Sequence, residues 1–268
     1  MRLSVRHVTA YRFAAPMRYV VQRHRLLPSL SAGQHIEAWS VTVPGAVFSS
    51  VYRDAGGDRL QAMALKGPVD SFEVTVEGVA VTSDTNGILT GLKEQAPPLG
   101  YLRDTVMTAP NDAVRDLAEG VGPLQPLDRA HALSAAVREA VAYETDVTGP
   151  TTTAAEALAK GAGVCQDHAH VMIAAARHCD LPARYVTGYL HASDDDLTGE
   201  AAHAWAEIHI PGLGWVGFDP ANACCPDQRY VRLGSGLDAA EAAPIRGTSF
   251  GVADEALDVA VAVAAMQQ

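Results

Sequence analysis

The spacing of the apolar residues switches twice along this chain, and that switch limits the folds open to it. "RLSVRHVTAYRF" alternates, which sets Leu3, Val5, His7, Thr9 and Tyr11 on one side of a strand. "EAWSVTVPG", "SSVYRDAGGDRLQAMAL" and "DSFEVTVEGVAVTSD" run similarly, broken at Pro44, Gly56-Gly57 and Gly67-Pro68. Ala55 to Asp58 suits a hairpin turn, because Gly tolerates positive φ there. The period then lengthens. In "PLDRAHALSAAVREAVAYE", Ala130, Leu133, Val137 and Val141 make one helical stripe, with Asp128 placed as its cap. "TTAAEALAKGAG" ends in glycines that suit a left-handed helix end. "GVCQDHAHVMIAAARHCDL" reads as a helix halted by Leu181-Pro182, and strands return in "ARYVTGYL". "HAWAEIHIPGLGWVGFDPA" gives two strands about a Pro211-Gly212 turn, and "DEALDVAVAVAA" a closing strand. The pattern predicts an α+β fold. An N-terminal antiparallel β domain covers residues 1–95, a Pro/Gly-rich linker covers 96–112, and an α+β core with a C-terminal closing strand covers 113–268.

The bulk properties mainly exclude. A chain of 268 residues is long enough for two domains. A formal net charge of -11 argues against nucleic acid and against an anionic membrane surface as partners. The N-terminus lacks the continuous apolar stretch of a signal peptide, and "LDVAVAVAA" is too short to span a bilayer, so a cytoplasmic location is expected. Four unevenly spaced cysteines in that compartment read as thiols, not as a disulfide framework.

One of those thiols stands apart. In "GAGVCQDHAH", Cys165 follows a glycine-rich turn and opens a helix. Helix N-termini present unpaired N–H groups and the positive end of the dipole, which stabilise a thiolate and can hold a developing oxyanion. An activated thiol also needs a base and a group that orients the base. His203, at the start of one strand, and Asp219, at the end of the next, become neighbours when those strands pair about Pro211-Gly212. With Cys165 packed against that hairpin, the three form a Cys-His-Asp set suited to acyl transfer.

These blocks, "GVCQDHAH", "HAWAEIHIPGLGWVGFDPAN" and the tail "DQRYVRLGSGLDAAEAAPIRG", resemble the bacterial branch of the transglutaminase-like superfamily, whose members are described as cysteine proteases. The opening "HVTAYRFAAPMRYVVQRHRLLPS" is similar to that family's N-terminal β domain, so the resemblance covers most of the chain. It implies a papain-like, transglutaminase-like core with Cys165, His203 and Asp219 as catalytic triad. It further implies a peptide, protein or other amide as substrate, with hydrolysis and transamidation both open. It does not imply protein crosslinking. Some members have lost activity, which leaves a non-catalytic binding or scaffold protein as the alternative.

The remaining candidates read more plainly. His168 stands where the family more usually has an aromatic such as Phe. His168 and His170 point apart on a helix, no CxxC or HExxH pattern occurs, and no metal or cofactor is expected. His170 should pack beneath the site or donate to a carbonyl, Asp167 should cap its helix or face solvent, and Cys179 should be structural. Trp205 and Trp215 should wall the core or cleft. "SDDDLTGE", residues 193–200, is a candidate rim of the cleft. Cys224 and Cys225 are expected to leave the chemistry untouched.

Overall fold

The computed structural model describes residues 1–192, 201–250 and 255–266, so the 193–200 segment expected at the cleft rim lies outside the described residues. The N-terminal sheet is built on two long antiparallel strands. In chain order its first strands are β1 (Arg2–His24), β2 (Gln34–Thr42), β3 (Val47–Phe48), β4 (Tyr52–Arg53) and β5 (Arg59–Thr82). β1 pairs β5 from Arg2↔Val81 to His24↔Gln61. The alternation seen in the sequence becomes an inner face that includes Leu3, Val5, Val74, Val76 and Ala80, all buried. β4 meets β5 across the Ala55–Asp58 turn, with Gly57 at φ 82.

The expected break at Gly67-Pro68 does not end a strand. β5 runs through it, and the pairing with β1 shifts register on either side of Met17. A Cβ on Gly67 would stand 2.0 Å from the Met17 carbonyl oxygen, so the glycine lets two backbones close up at a bulge.

The second half holds β6 (Ile88–Leu89), α1 (Asp112–Gly120), α2 (Pro126–Ala140), β7 (Ala142–Tyr143), α3 (Ala154–Lys160), β8 (Ala162–Gly163) and α4 (Cys165–His178). β9 (Ala183–Leu190), β10 (Ala202–Ile210), β11 (Gly214–Phe218), β12 (Tyr230–Gly236), α5 (Ala239–Ala242), β13 (Ile245–Phe250) and β14 (Glu255–Ala265) follow. The stripe Ala130, Leu133, Val137, Val141 is buried against α4 as its spacing requires. Asp128 is not the cap of α2. Gln125 occupies that position, and Pro126 takes the first helical place, where its missing N–H costs nothing. α3 starts in a Thr153–Glu156 capping box and ends at Gly161 with φ 69.

The core sheet runs β12-β9-β10-β11-β6, and α4 packs on β9 and β10. Three elements cross the sequence boundaries. β6 lies in the stretch assigned to the first domain yet pairs β11, with Leu89 opposite Trp215. The closing strand does not close the core: β13 and β14 both return to β1, so the chain ends on the N-terminal sheet. Alternation in "DVAVAV" established a strand but could not identify its neighbour.

A buried charge network joins the two halves. Glu207 of β10 accepts from Arg184 Nε at 2.7 Å and from Arg232 Nε at 2.8 Å. Arg232 also reaches Asp58 at 2.6 Å, and Asp58 accepts from the Ser235 N–H. Asp58 belongs to the β4–β5 turn, so this polar seam fixes the N-terminal sheet against β9, β10 and β12. Leu3, Val5 and Ala80 pack across the same boundary on Tyr189, Val231 and Leu233.

Candidate active site

Local backbone geometry places Cys165. Val164 is extended, with φ -103° and ψ -176°, and α4 begins at the next residue. The Cys165 N–H is therefore among the donors that a helix start leaves unpaired. Val164 has no capping side chain. Asp167 supplies the cap instead, accepting from the Val164 N–H at 2.8 Å and from Thr148 Oγ1 at 2.6 Å. The Asp167 carboxylate is buried, so of its two expected fates the structure selects capping. It fits because Gly163 has no side chain: a Cβ there would lie 2.5 Å from Asp167 Oδ2. Gly163→Ala is expected to push that carboxylate off the cap, lower stability by about 1–2 kcal/mol or more in denaturant unfolding, and slow alkylation of Cys165.

His168 braces the same turn. Its Nδ1 lies 2.9 Å from the Val164 carbonyl and its Nε2 2.8 Å from the Val141 carbonyl, tying the start of α4 to the end of α2. An aromatic hydrocarbon in its place would fill space without that tie.

The hairpin brings His203 and Asp219 together. β10 and β11 pair from Ile210↔Gly214 to Ala206↔Phe218, about a turn with Gly212 at φ 84. Pairing stops there, and Asp219 turns in to accept from His203 Nε2 at 2.7 Å. Among the described residues, His203 Nδ1 has no hydrogen-bond partner. The Cys165 thiol is near enough to the ring to raise its affinity for a proton, without a hydrogen bond to Nδ1. Loose contact of this kind is usual in sites that tighten only on substrate. Burial alone would lower the His203 pKa. It is outweighed by the hydrogen bond that His203 donates to Asp219, then by Cys165 and the Asp219 charge, which push the imidazole up to about 10. Burial likewise opposes ionisation of Asp219, but His203, Asn222 and Tyr230 hold its carboxyl below the ordinary range.

Trp205 stacks on the His203 ring at 6.4 Å between centroids, as alternation on β10 requires. The indole has room because Gly188 faces it across β9, where a Cβ would come within 2.6 Å of the ring.

Residues 115–220 match the transglutaminase-like superfamily core, and residues 3–81 match the bacterial transglutaminase-like N-terminal region. The chain belongs to the transglutaminase-like superfamily. The Mycobacterium bovis protein Mb2599c is 30% identical across 98% of this chain and 92% of its own length. The Mycobacterium leprae protein ML0607 is 28% identical across 98% of each. Both relatives are described as uncharacterized. A Cytophaga hutchinsonii structure described as a "putative cysteine protease" superposes with a TM-score of 0.76, covering 100% of this chain and 92% of that one at 22% identity, which establishes the shared fold.

Around this transglutaminase-like site, the structure adds residues that sequence reasoning passed over. Asp219 Oδ2 accepts from Asn222 Nδ2 at 2.9 Å and from the Tyr230 hydroxyl at 2.8 Å. Asn222 lies three residues after Asp219 in "DPAN", a turn signal that could have nominated it. Tyr230 sits on a separate strand, and no spacing points to it. Cys224 is also nearer the site than expected: its Sγ lies 3.2 Å from the Tyr230 oxygen.

The other histidine and cysteine candidates are structural. His170 accepts from the Ala239 N–H at 3.1 Å instead of donating to a carbonyl, and burial lowers its pKa to about 4. Cys179 contacts the Ala118 carbonyl, and burial pushes its thiol up. Among the described residues, no group of three or more His, Cys, Asp or Glu is arranged to hold a metal ion, and no helix is long and apolar enough to cross a membrane.

Proposed function

We propose that this protein is a cysteine-dependent amide hydrolase or acyltransferase of the transglutaminase-like cysteine peptidase type. The observation that carries the reading is a buried histidine held between Asp219 and a thiol at a helix N-terminus. In this reading Cys165, His203 and Asp219 are the catalytic residues. The thiol proton rests on His203, and Cys165 Sγ attacks the carbonyl carbon of a carboxamide. The Cys165 N–H stabilises the oxyanion that forms. Collapse of this intermediate breaks the C–N bond. His203 passes its proton to the leaving amine, which departs and leaves a thioester on Cys165. Water or a second amine then attacks the thioester, giving its proton to His203, and the thiolate–imidazolium pair is restored. Asp219 keeps the imidazole oriented and offsets its charge throughout.

The test is a peptide library incubated with the protein and a free primary amine, read by mass spectrometry. Cleavage, deamidation or amine incorporation that disappears in Cys165→Ala supports the reading, and the product distinguishes hydrolysis from transamidation. Preferential alkylation of Cys165 by iodoacetamide at neutral pH, over Cys179, Cys224 and Cys225, is the companion result. If Cys165 labels no faster than those thiols and the library stays unchanged, the protein is a binding scaffold that retains the fold.

A further inference from the structure

Asp219 is almost wholly buried, and its hydrogen bonds are unevenly shared. Among the described residues, Oδ1 receives only a long bond from the Asn222 N–H, at 3.3 Å. Oδ2 receives three donors: His203 Nε2 at 2.7 Å, Tyr230 OH at 2.8 Å and Asn222 Nδ2 at 2.9 Å. The Tyr230 proton is committed to Asp219, so at 3.2 Å the Cys224 thiol is the donor and the phenol oxygen the acceptor. The result is a chain, Cys224 S–H to Tyr230 O–H to Asp219 Oδ2, which meets His203 from the opposite side. The Tyr230 ring is itself fixed, packing edge-on to His203 at 5.9 Å and to Trp205 at 5.5 Å.

We propose that Tyr230, oriented by Cys224, is a positioning residue that pins the Asp219 carboxylate with Oδ2 on His203 and keeps it ionised. A buried carboxylate held only by its histidine is free to rotate or to take up a proton, and either event releases the imidazole. A second charge-assisted hydrogen bond from a rigid strand residue opposes both. Asn222 sits in the same turn as Asp219, three residues on, so it does not anchor the carboxylate to a separate element, whereas Tyr230 lies on β12. The groups that face Asp219 are His203 from β10, Tyr230 from β12, and Asn222 and Cys224 from the intervening loop. Cys165 of α4 stands beyond the imidazole, and the Asp227–Arg229 pair lies beyond Cys224.

The inference rests on reading Asp219 as the orienting acid, but its test needs no substrate. In intact nitrogen-15-labelled protein, the His203 Nε2–H proton and both ring nitrogens are followed by NMR as pH is lowered until Asp219 protonates. Tyr230→Phe retains the ring packing and removes one donor. It should raise the pH of that acid-side transition by about one pH unit, the scale of a single hydrogen bond to a charged group. Cys224→Ala should move it the same way by less, and Cys224→Ser, which restores a donor, should bring it back. A folded Tyr230→Phe protein whose titration coincides with wild type overturns the proposal. If that variant does not fold, coincidence in Cys224→Ala overturns it instead. Shifted titrations in a protein whose Cys165 is unreactive would refute the proposed function alone. A reactive Cys165 with unshifted titrations would refute this inference alone.

Discussion

Replacing His203 with alanine should slow alkylation of Cys165 at neutral pH by about tenfold or more, and should abolish turnover. The reason is electrostatic. Asp219 and Cys165 together lift the imidazole to about 10, so the ring is charged at neutral pH and its removal takes a cation away from the sulfur. Removing the ring leaves the helix N-terminus as the local support for negative sulfur. The coupling also fixes a pH signature. His203 is raised above its ordinary 6.5, so its contribution to stability is complete below that value and is lost as pH rises through about 10. In the proposed mechanism the imidazolium is also the acid that serves the leaving amine. The alkaline limb of kcat/KM should therefore lie near pH 10, and Asp219→Asn should move it down. In that variant the thiol should still react with iodoacetamide, while turnover falls by about 10²–10⁴-fold, because the imidazole has lost the carboxylate that selects its tautomer. An alkaline limb at the ordinary histidine value in wild type, with alkylation indifferent to His203→Ala, would remove the basis for the triad.

Glu207→Ala is expected to destabilise the protein by about 3–5 kcal/mol in denaturant unfolding, because it leaves Arg184 and Arg232 buried beside an emptied carboxylate position. Burial pushes the Glu207 carboxyl up, but Arg232 and Arg184 outweigh it and hold it below its ordinary value. Asp58 follows the same logic, with Arg232 and Arg25 overcoming burial. Both depressed carboxyls contribute stability above their unfolded values, near 4.5 and 3.8, and lose it as pH falls toward their folded ones. Wild type should therefore weaken in acid through this seam, and Glu207→Ala should show a shallower acid dependence. Since β10 carries both Glu207 and His203, a folded Glu207→Gln protein should also alkylate Cys165 more slowly. Stability unchanged in Glu207→Ala would mean that the seam adds nothing to domain docking.

Much of the architecture was legible because short-range rules produced it. Alternation in β1 and β10, the stripe on α2, the Gly161 helix end and the Pro211-Gly212 turn depend on neighbours a few residues away. The His203–Asp219 pair was legible for the same reason. A two-strand hairpin with a tight turn has one dominant register, so two residues 16 apart in sequence are forced together. The position of Cys165 at a helix start was likewise local.

Other features depended on contacts that no local pattern encodes. β14 reads as a strand in any context, yet only the free edge of β1 made it part of the N-terminal sheet. Gly67 reads as a break because glycine usually marks one, and only the approach of Met17 made it a bulge. Arg184, Glu207, Arg232 and Asp58 look like ordinary surface charges in the sequence. They are buried because two sheets meet over them, and each is tolerable there because the others are present. Tyr230 is 11 residues from Asp219 and on another strand, so its hydroxyl meets Oδ2 only after β12 has docked on β9. The sequence by itself determined the elements, the hairpin and the residue types of the Cys-His-Asp set, since these follow from period, turn chemistry and helix-end electrostatics. The tertiary structure alone decided which sheet received the last strands, which charges were buried, and which hydroxyl supports the aspartate, because each depends on desolvation and packing between segments far apart in the chain.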